Sequence, residues 1–195
     1  MEKKLNDQYW ESRYLNGETG WDIGEISAPL LNFFLQLKDK NIRILIPGCG
    51  NAHEAAYLHQ QGFKNVFLLD FAMSPLNNFK KEHPDFPTNH IIHDDFFKHQ
   101  NKYDLIVEQT FFCALNPELR KQYVDHMAEL LDSGAHLSGL LFHCEFENEG
   151  PPFGGSKEEY IQLFEDKFFI QKMEPCLHSI SPRSGNELFI DLIRK

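Results

Sequence analysis

The sequence predicts an α/β protein built on a doubly wound, mostly parallel sheet, and three observations within one stretch predict it. Residues 41–70, NIRILIPGCGNAHEAAYLHQQGFKNVFLLD, read as strand, glycine turn, helix and second strand. Ile42-Arg43-Ile44-Leu45-Ile46 is short, β-branched and nearly all apolar, the composition of a strand buried on both faces. Pro47 cannot donate to a ladder and Gly48-Cys49-Gly50 lets the chain turn sharply, at the place where such a fold holds a ligand. Asp70 follows Gly50 by twenty residues, the distance at which an acid on the second strand's tip meets a ribose.

The other elements follow in order. Glu2 to Leu15 has Leu5, Tyr9, Trp10 and Tyr14 at roughly helical spacing, and the loop GETGWDIG comes next. This segment reads either as a helix covering the sheet with its aromatics in the core, or as a lid. In the lid reading Trp10, Tyr14 and Trp21 face a cationic ligand, since aromatic faces attract cations. Ser27 can cap a helix continuing through Ala28-Pro29, apolar at Leu30, Leu31, Phe33, Phe34, Leu35 and Leu37. His53 to Gln61 is a helix stopped by Gly62, and Val66 to Asp70 the second strand. Ser74-Pro75 opens a helix to about Glu82, ahead of His83-Pro84. Asn89 to His93 is a third strand, closed by Asp94-Asp95-Phe96-Phe97. Tyr103 to Val107 is the fourth, with polar Glu108 and Gln109 at its C-terminal end. Asn116-Pro117 opens a helix from Glu118 to Leu131, and Asp132-Ser133-Gly134 ends it. Ala135 to Phe142 is the fifth strand. The segment CEFENEGPPFGGSKEEY is a loop, a candidate substrate rim or a plain surface loop. Ser156-Lys157-Glu158-Glu159 resembles a capping box opening a helix to about Asp166. Phe168–Met173 and Leu188–Ile193 are close enough in sequence to form an antiparallel pair at the sheet's end.

The glycine pattern restricts the ligand. A dinucleotide turn needs G-x-G-x-x-G/A, but His53 occupies the third position and is too bulky for a pyrophosphate site. That counts against an oxidoreductase. A nucleoside cofactor without a pyrophosphate points to S-adenosylmethionine. At the tip of the third strand, Asp95 is placed either to accept from an adenine amine with Phe96 packing on the ring, or as a solvated turn acid before a core Phe. His90, His93 and Asp94 do not form a metal site, because strand residues three apart point to opposite faces.

Composition bounds the rest. At 195 residues a single domain is expected, with residues 1–40 as N-terminal lid and helices and 41–195 as core. A net charge of −10 disfavours a nucleic-acid partner, whose binding surface is usually basic. No long apolar run or signal-peptide pattern is evident, so a cytoplasmic protein without a membrane partner is expected, and a monomer is favoured. The widely spaced Cys49, Cys113, Cys144 and Cys176 read as reduced thiols.

Six stretches in order, YWESRYLNGETGWDIG, LIPGCGNAHE, HDDFF, EQTFFCALNPELR, GPPFGGSKEEY and HSISPRSG, together resemble the thiopurine S-methyltransferase superfamily with its halide/thiol methyltransferase branch. The resemblance implies a class I methyltransferase (Rossmann-like) fold, seven-stranded and mostly parallel with one antiparallel strand. It implies that Trp10, Tyr14 and Trp21 enclose the cofactor S-adenosylmethionine, Tyr14 standing where the halide/thiol branch often has a third Trp. Gly48 and Gly50 would border its methionine part, Asp70 its ribose, Asp95 and Phe96 its adenine, and Glu108 would approach it from a strand tip. The reaction so implied is in-line transfer of a methyl group to a small soft nucleophile: a thiol or thiopurine, bisulfide or a halide. It needs no metal and no obligatory acid or base, because placement and exclusion of water supply most of the acceleration. The sequence also lacks the N/D-P-P-Y/F tetrad that resembles amino-methylating nucleic-acid enzymes. No catalytic residue is assigned; His178 and Arg183 are candidate acceptor contacts, or surface loop residues. The alternatives are a non-catalytic S-adenosylmethionine-binding protein and a methyltransferase acting on an O, N or metalloid acceptor.

Overall fold

A computed structural model describes residues 4–147 and 150–195. Seven strands form one sheet in the order β3-β2-β1-β4-β5-β7-β6. They are β1 (Arg43–Pro47), β2 (Asn65–Asp70), β3 (Ile91–His93), β4 (Tyr103–Gln109), β5 (Leu131–Phe142), β6 (Phe168–Pro175) and β7 (Glu187–Arg194). The pairings from β3 through β5 are parallel. β7 runs antiparallel to both β5 and β6, so it is the one reversed strand. The chain winds outward from β1 through β2 to β3, then returns to lay β4 on the other side of β1. The C-terminal ends of β1 and β4 therefore flank a topological switch point, where open α/β sheets bind ligands.

The period of two along the strands divides the core into two layers. Ile44, Ile46, Val66, Leu68, Leu105 and Val107 pack with Leu30 and Phe34 of α2 (Ala28–Phe34), Ala55 and Leu58 of α3 (His53–Gln60), and Leu76 and Phe79 of α4 (Met73–Glu82). Leu45, Phe67, Ile106, Leu137 and Leu141 pack on the opposite face with α5 (Arg120–Leu130) and α6 (Lys157–Phe164), through Tyr123, Met127, Tyr160 and Phe164. The N-terminal helix α1 (Asp7–Leu15) belongs to neither layer and has no fully buried residue.

Several boundaries differ from the sequence reading, each for a local reason. α1 begins at Asp7 because Asn6 caps it, its side chain accepting from the Tyr9 N–H at 3.0 Å; Glu2 and Lys3, expected within it, lie outside the described residues. Ser27 stands at the N-cap of α2, but its side chain makes no capping bond and its own N–H goes to Glu54. Thr88–His90 is a 3-10 turn rather than strand, so β3 pairs only with Leu68, Leu69 and Asp70 of β2. Residues Pro117–Leu119 form a 3-10 turn, and α5 starts at Arg120. The fifth strand starts at Leu131, ahead of Asp132-Ser133-Gly134, and a register irregularity between Tyr103 and Leu105 of β4 absorbs the change. β4 runs on through Glu108 and Gln109. The capping bond expected of Ser156 is present, its Oγ accepting from the Glu159 N–H at 3.2 Å. Asn148 and Glu149, in the loop after the fifth strand, lie outside the described residues.

Candidate active site

A cavity of about 660 Å³ opens at the C-terminal ends of the central strands, between the glycine turn, the tips of β2 and β4, and the N-terminal segment. The turn after β1 makes it possible. Gly48 and Gly50 both take positive φ, +57° and +51°, a conformation glycine adopts without steric cost. A side chain at Gly48 would overlap the Phe111 ring, and a Cβ at Gly50 would come 2.6 Å from the Tyr14 hydroxyl. The missing side chains thus let two aromatic rings reach the backbone. Ala52 follows in the same left-handed region, at φ +56°, and leads into α3.

Asp70 fixes this turn. Its Oδ2 accepts the Gly50 N–H at 2.9 Å and its Oδ1 the Ala72 N–H at 2.8 Å. Burial pushes its carboxyl above the ordinary range, against the pull of the Ala72, Gly50 and Phe71 amides. A carboxylate offers about four lone-pair sites, so acceptor capacity remains for a ligand hydroxyl beside these amides.

The N-terminal segment roofs the cavity. Trp21 stands edge-on to both Trp10, at 5.4 Å between centroids, and Tyr14, at 5.7 Å. Burial raises the Tyr14 phenol, helped by the charge of Asp70, so this ring presents a neutral hydroxyl at physiological pH. α1 is pinned to α4 by Glu11, which accepts from the Ser74 hydroxyl and, at 3.0 Å, from the Ser74 N–H. It supplies the cap that Ala72 cannot make for α4. Burial disfavours a charge on Glu11, but the Ser74 donors outweigh it and lower its carboxyl.

Of the residues singled out from sequence, Trp10, Tyr14, Trp21, Gly48, Gly50, Asp70, Asp95, Phe96 and Arg183 all line this one cavity. Asp95 is partly committed, accepting from the Phe97 N–H at 3.0 Å and lying 3.2 Å from Lys98 Nζ. Phe96 is nearly buried, 5.1 Å from Phe111. His178 is exposed and stands apart from the cavity lining.

Glu108 needs correction: it is not on the cavity wall. The alternation of β4 turns it with Ile106 toward α5, and its exposure is 0%. There Oε1 accepts the N–H groups of Phe111 and Phe112 at 2.8 and 2.9 Å, and Oε2 accepts the Tyr123 hydroxyl at 2.6 Å. Glu108 therefore braces, from behind, the turn that carries Thr110 at φ +58° and sets Phe111 against Gly48.

Asp22, Asn51 and His53 form a cluster the sequence reading did not assemble. His53 Nε2 lies 2.8 Å from Asp22 Oδ1, and the Asn51 amide donates to Asp22 Oδ2. The misfit of His53 with the dinucleotide pattern was the available signal. Beyond β4 the cavity continues along Thr110, Cys113, Leu115, Phe142 and Pro151, an end that is mostly apolar. Among the described residues no group of three or more His, Cys, Asp or Glu side chains is arranged to hold a metal ion.

Comparison with known proteins agrees with this architecture. Solved methyltransferase structures share the fold: a TehB-like S-adenosylmethionine-dependent methyltransferase from Corynebacterium glutamicum superposes with a TM-score of 0.68 at 16% identity, covering 97% of this chain and 98% of that one. The 1,6-didemethyltoxoflavin-N1-methyltransferase of Burkholderia thailandensis gives 0.75 at 14% identity, covering 98% and 88%. In sequence, a probable thiol methyltransferase of Arabidopsis thaliana is 30% identical over 185 residues, 91% of this chain and 81% of the relative. A thiopurine S-methyltransferase of Acinetobacter baylyi is 28% identical over 209 residues, 93% of this chain and 94% of the relative. The thiopurine S-methyltransferase family model matches residues 5–187, and with that match the chain belongs to the thiopurine S-methyltransferase family.

Proposed function

We propose that the cavity at the β1–β4 switch point holds S-adenosylmethionine under the Trp10–Tyr14–Trp21 roof and that its apolar end receives a small thiol. Family membership makes the chain an S-adenosylmethionine-dependent methyltransferase acting on a thiol-type acceptor; the binding mode and the acceptor are the proposal. The observation that carries it is the convergence of the glycine turn, Asp70 and three aromatic side chains on one cavity.

The residues fit the cofactor. Asp70, with acceptor capacity beyond its three amide donors, suits the ribose hydroxyls. Asp95 gives one oxygen to the Phe97 N–H and the other to an exposed Lys98, and the carboxylate can still accept from an adenine amine beside Phe96. The Trp10, Tyr14 and Trp21 faces suit a sulfonium, a contact worth about 0.5–2 kcal/mol. When bound, S-adenosylmethionine supplies a methyl group already activated as an electrophile.

The chain's own work is then placement. The roof and the Phe111 wall exclude water, and the apolar end orients the acceptor's sulfur for in-line attack. A free thiol is already a few per cent thiolate at about pH 7, so the proton can leave to solvent without a dedicated base. The test is release of S-adenosylhomocysteine with thiophenol, bisulfide and iodide offered separately beside a no-acceptor control. The proposal expects release with thiophenol and the matching methyl sulfide; release with iodide alone, or none above the control, would overturn it.

A further inference from the structure

Methyl transfer gives His53 and Asn51 no task, and it leaves open why the Arg183 guanidinium reaches the cavity. Both ends of this problem meet at two consecutive residues of the N-terminal loop. On one side Asp22 is tied to the glycine turn. Its Oδ1 accepts the Gly24 N–H at 2.8 Å and faces His53 Nε2 at the same distance, while Oδ2 takes the Asn51 amide. These donors outweigh burial and hold the Asp22 carboxyl below its ordinary range. On the other side the Trp21 carbonyl accepts from Arg183 Nη2 at 2.6 Å, across 162 positions of sequence. Arg183 ends the 3-10 turn Ser181–Arg183 between β6 and β7. Its side chain is 11% exposed, with Nη1 3.6 Å from the buried Glu187.

We propose that Arg183 is a positioning residue that acts through Trp21, and that with His53 and Asn51 at the opposite end it stretches the Trp21–Asp22 segment across the cavity as a strap. This replaces the acceptor contact expected of Arg183 from sequence, and it rests on reading the cavity as the methyl donor's site. One guanidinium satisfies both a main-chain carbonyl and a buried carboxylate because its five donors lie in a fixed fork. Pinning the carbonyl of Trp21 and the side chain of the next residue leaves the indole little freedom to swing away. The same arginine stands over the far end of the cavity, so the loop beside the acceptor and the roof over the donor are one connected unit.

The strap has its own spectroscopic reporter. The chain has two tryptophans, Trp10 and Trp21, and both line the cavity, so fluorescence excited selectively in tryptophan reads the roof alone. We would titrate S-adenosylhomocysteine into the wild type, Arg183→Ala and Asp22→Asn by that fluorescence, and measure the thiophenol KM at saturating donor. Losing a charge-assisted bond at either end is expected to weaken donor binding roughly tenfold. Fluorescence of the free protein should shift, and in Asp22→Asn, at the end away from the acceptor, the thiophenol KM should stay within about twofold. Asp22→Asn leaves the Arg183–Glu187 pair intact, so it decides the matter if Arg183→Ala does not fold. Unchanged donor affinity with a raised acceptor KM would overturn the proposal and return Arg183 to acceptor contact. A wild type that binds while both variants bind equally well sinks the strap alone. A wild type that binds no S-adenosylhomocysteine sinks the donor-site reading and the strap with it.

Discussion

Glu108 should make the protein less stable as pH rises from about 4.5 toward 7, the reverse of what a hydrogen-bonded carboxylate usually does. Its side chain is completely buried, and burial pushes the carboxyl up from 4.5 to about 7 even though three donors face it. The described titratable groups that act on it are Tyr123, which donates to it, and Cys113, whose thiol its charge pushes up. Because the folded protein holds this proton more tightly than the unfolded chain, the folded state carries the extra proton between about pH 4.5 and 7. Stability from this group is full below the unfolded value and falls as pH climbs through the folded one. Each step of one in pKa is worth about 1.4 kcal/mol, so the ionised form costs about 3 kcal/mol at the most. Glu108→Gln keeps an oxygen for the Phe111 and Phe112 amides and turns an NH₂ toward the Tyr123 oxygen. Denaturant unfolding of wild type and variant at pH 5 and pH 8.5 isolates the group, because other titrations cancel in the difference. The variant should gain roughly 1–3 kcal/mol relative to wild type between the two pH values. A difference that does not change with pH, or one that moves toward wild type at pH 8.5, would show that the three hydrogen bonds outweigh burial and would refute the reasoning.

Two further outcomes follow from the cavity. Trp21→Ala should weaken S-adenosylmethionine binding about three- to thirtyfold, the loss of one aromatic face toward the sulfonium plus its packing, and equal affinity by calorimetry would remove Trp21 from the site. Gly48→Ala should lower stability by at least about 1–2 kcal/mol, since the new methyl meets the Phe111 ring at positive φ, and unchanged thermal unfolding would contradict that packing.

Much of this architecture is legible in the sequence because it is written in short-range patterns. The continuous apolar run Ile44-Leu45-Ile46 and the glycines at 48 and 50 are local, and so is the interval from the turn to Asp70. They point to the switch-point cavity without any tertiary information. What the sequence hides is direction and distance. Glu108 sits at a strand tip, as expected, but only the continuation of β4 to Gln109 decides that it faces Tyr123 rather than the cavity. The strap joins Trp21 to Arg183 across 162 positions and Asp22 to His53 across 31, and no periodicity encodes such partners. Apolar spacing through Leu5 extends the expected helix toward the N-terminus, whereas the cap at Asn6 makes α1 begin at Asp7.

The most direct test of the central claim, that the cavity under the roof is the methyl donor's site, is a calorimetric titration of S-adenosylhomocysteine into the wild type and Asp70→Asn. The Asn variant keeps the size of the side chain and an acceptor for the turn, but loses the charge and one of the two oxygens proposed to meet the ribose. The account predicts a single site in the wild type and roughly tenfold or greater weakening in the variant. Equal affinity in the two proteins would contradict it.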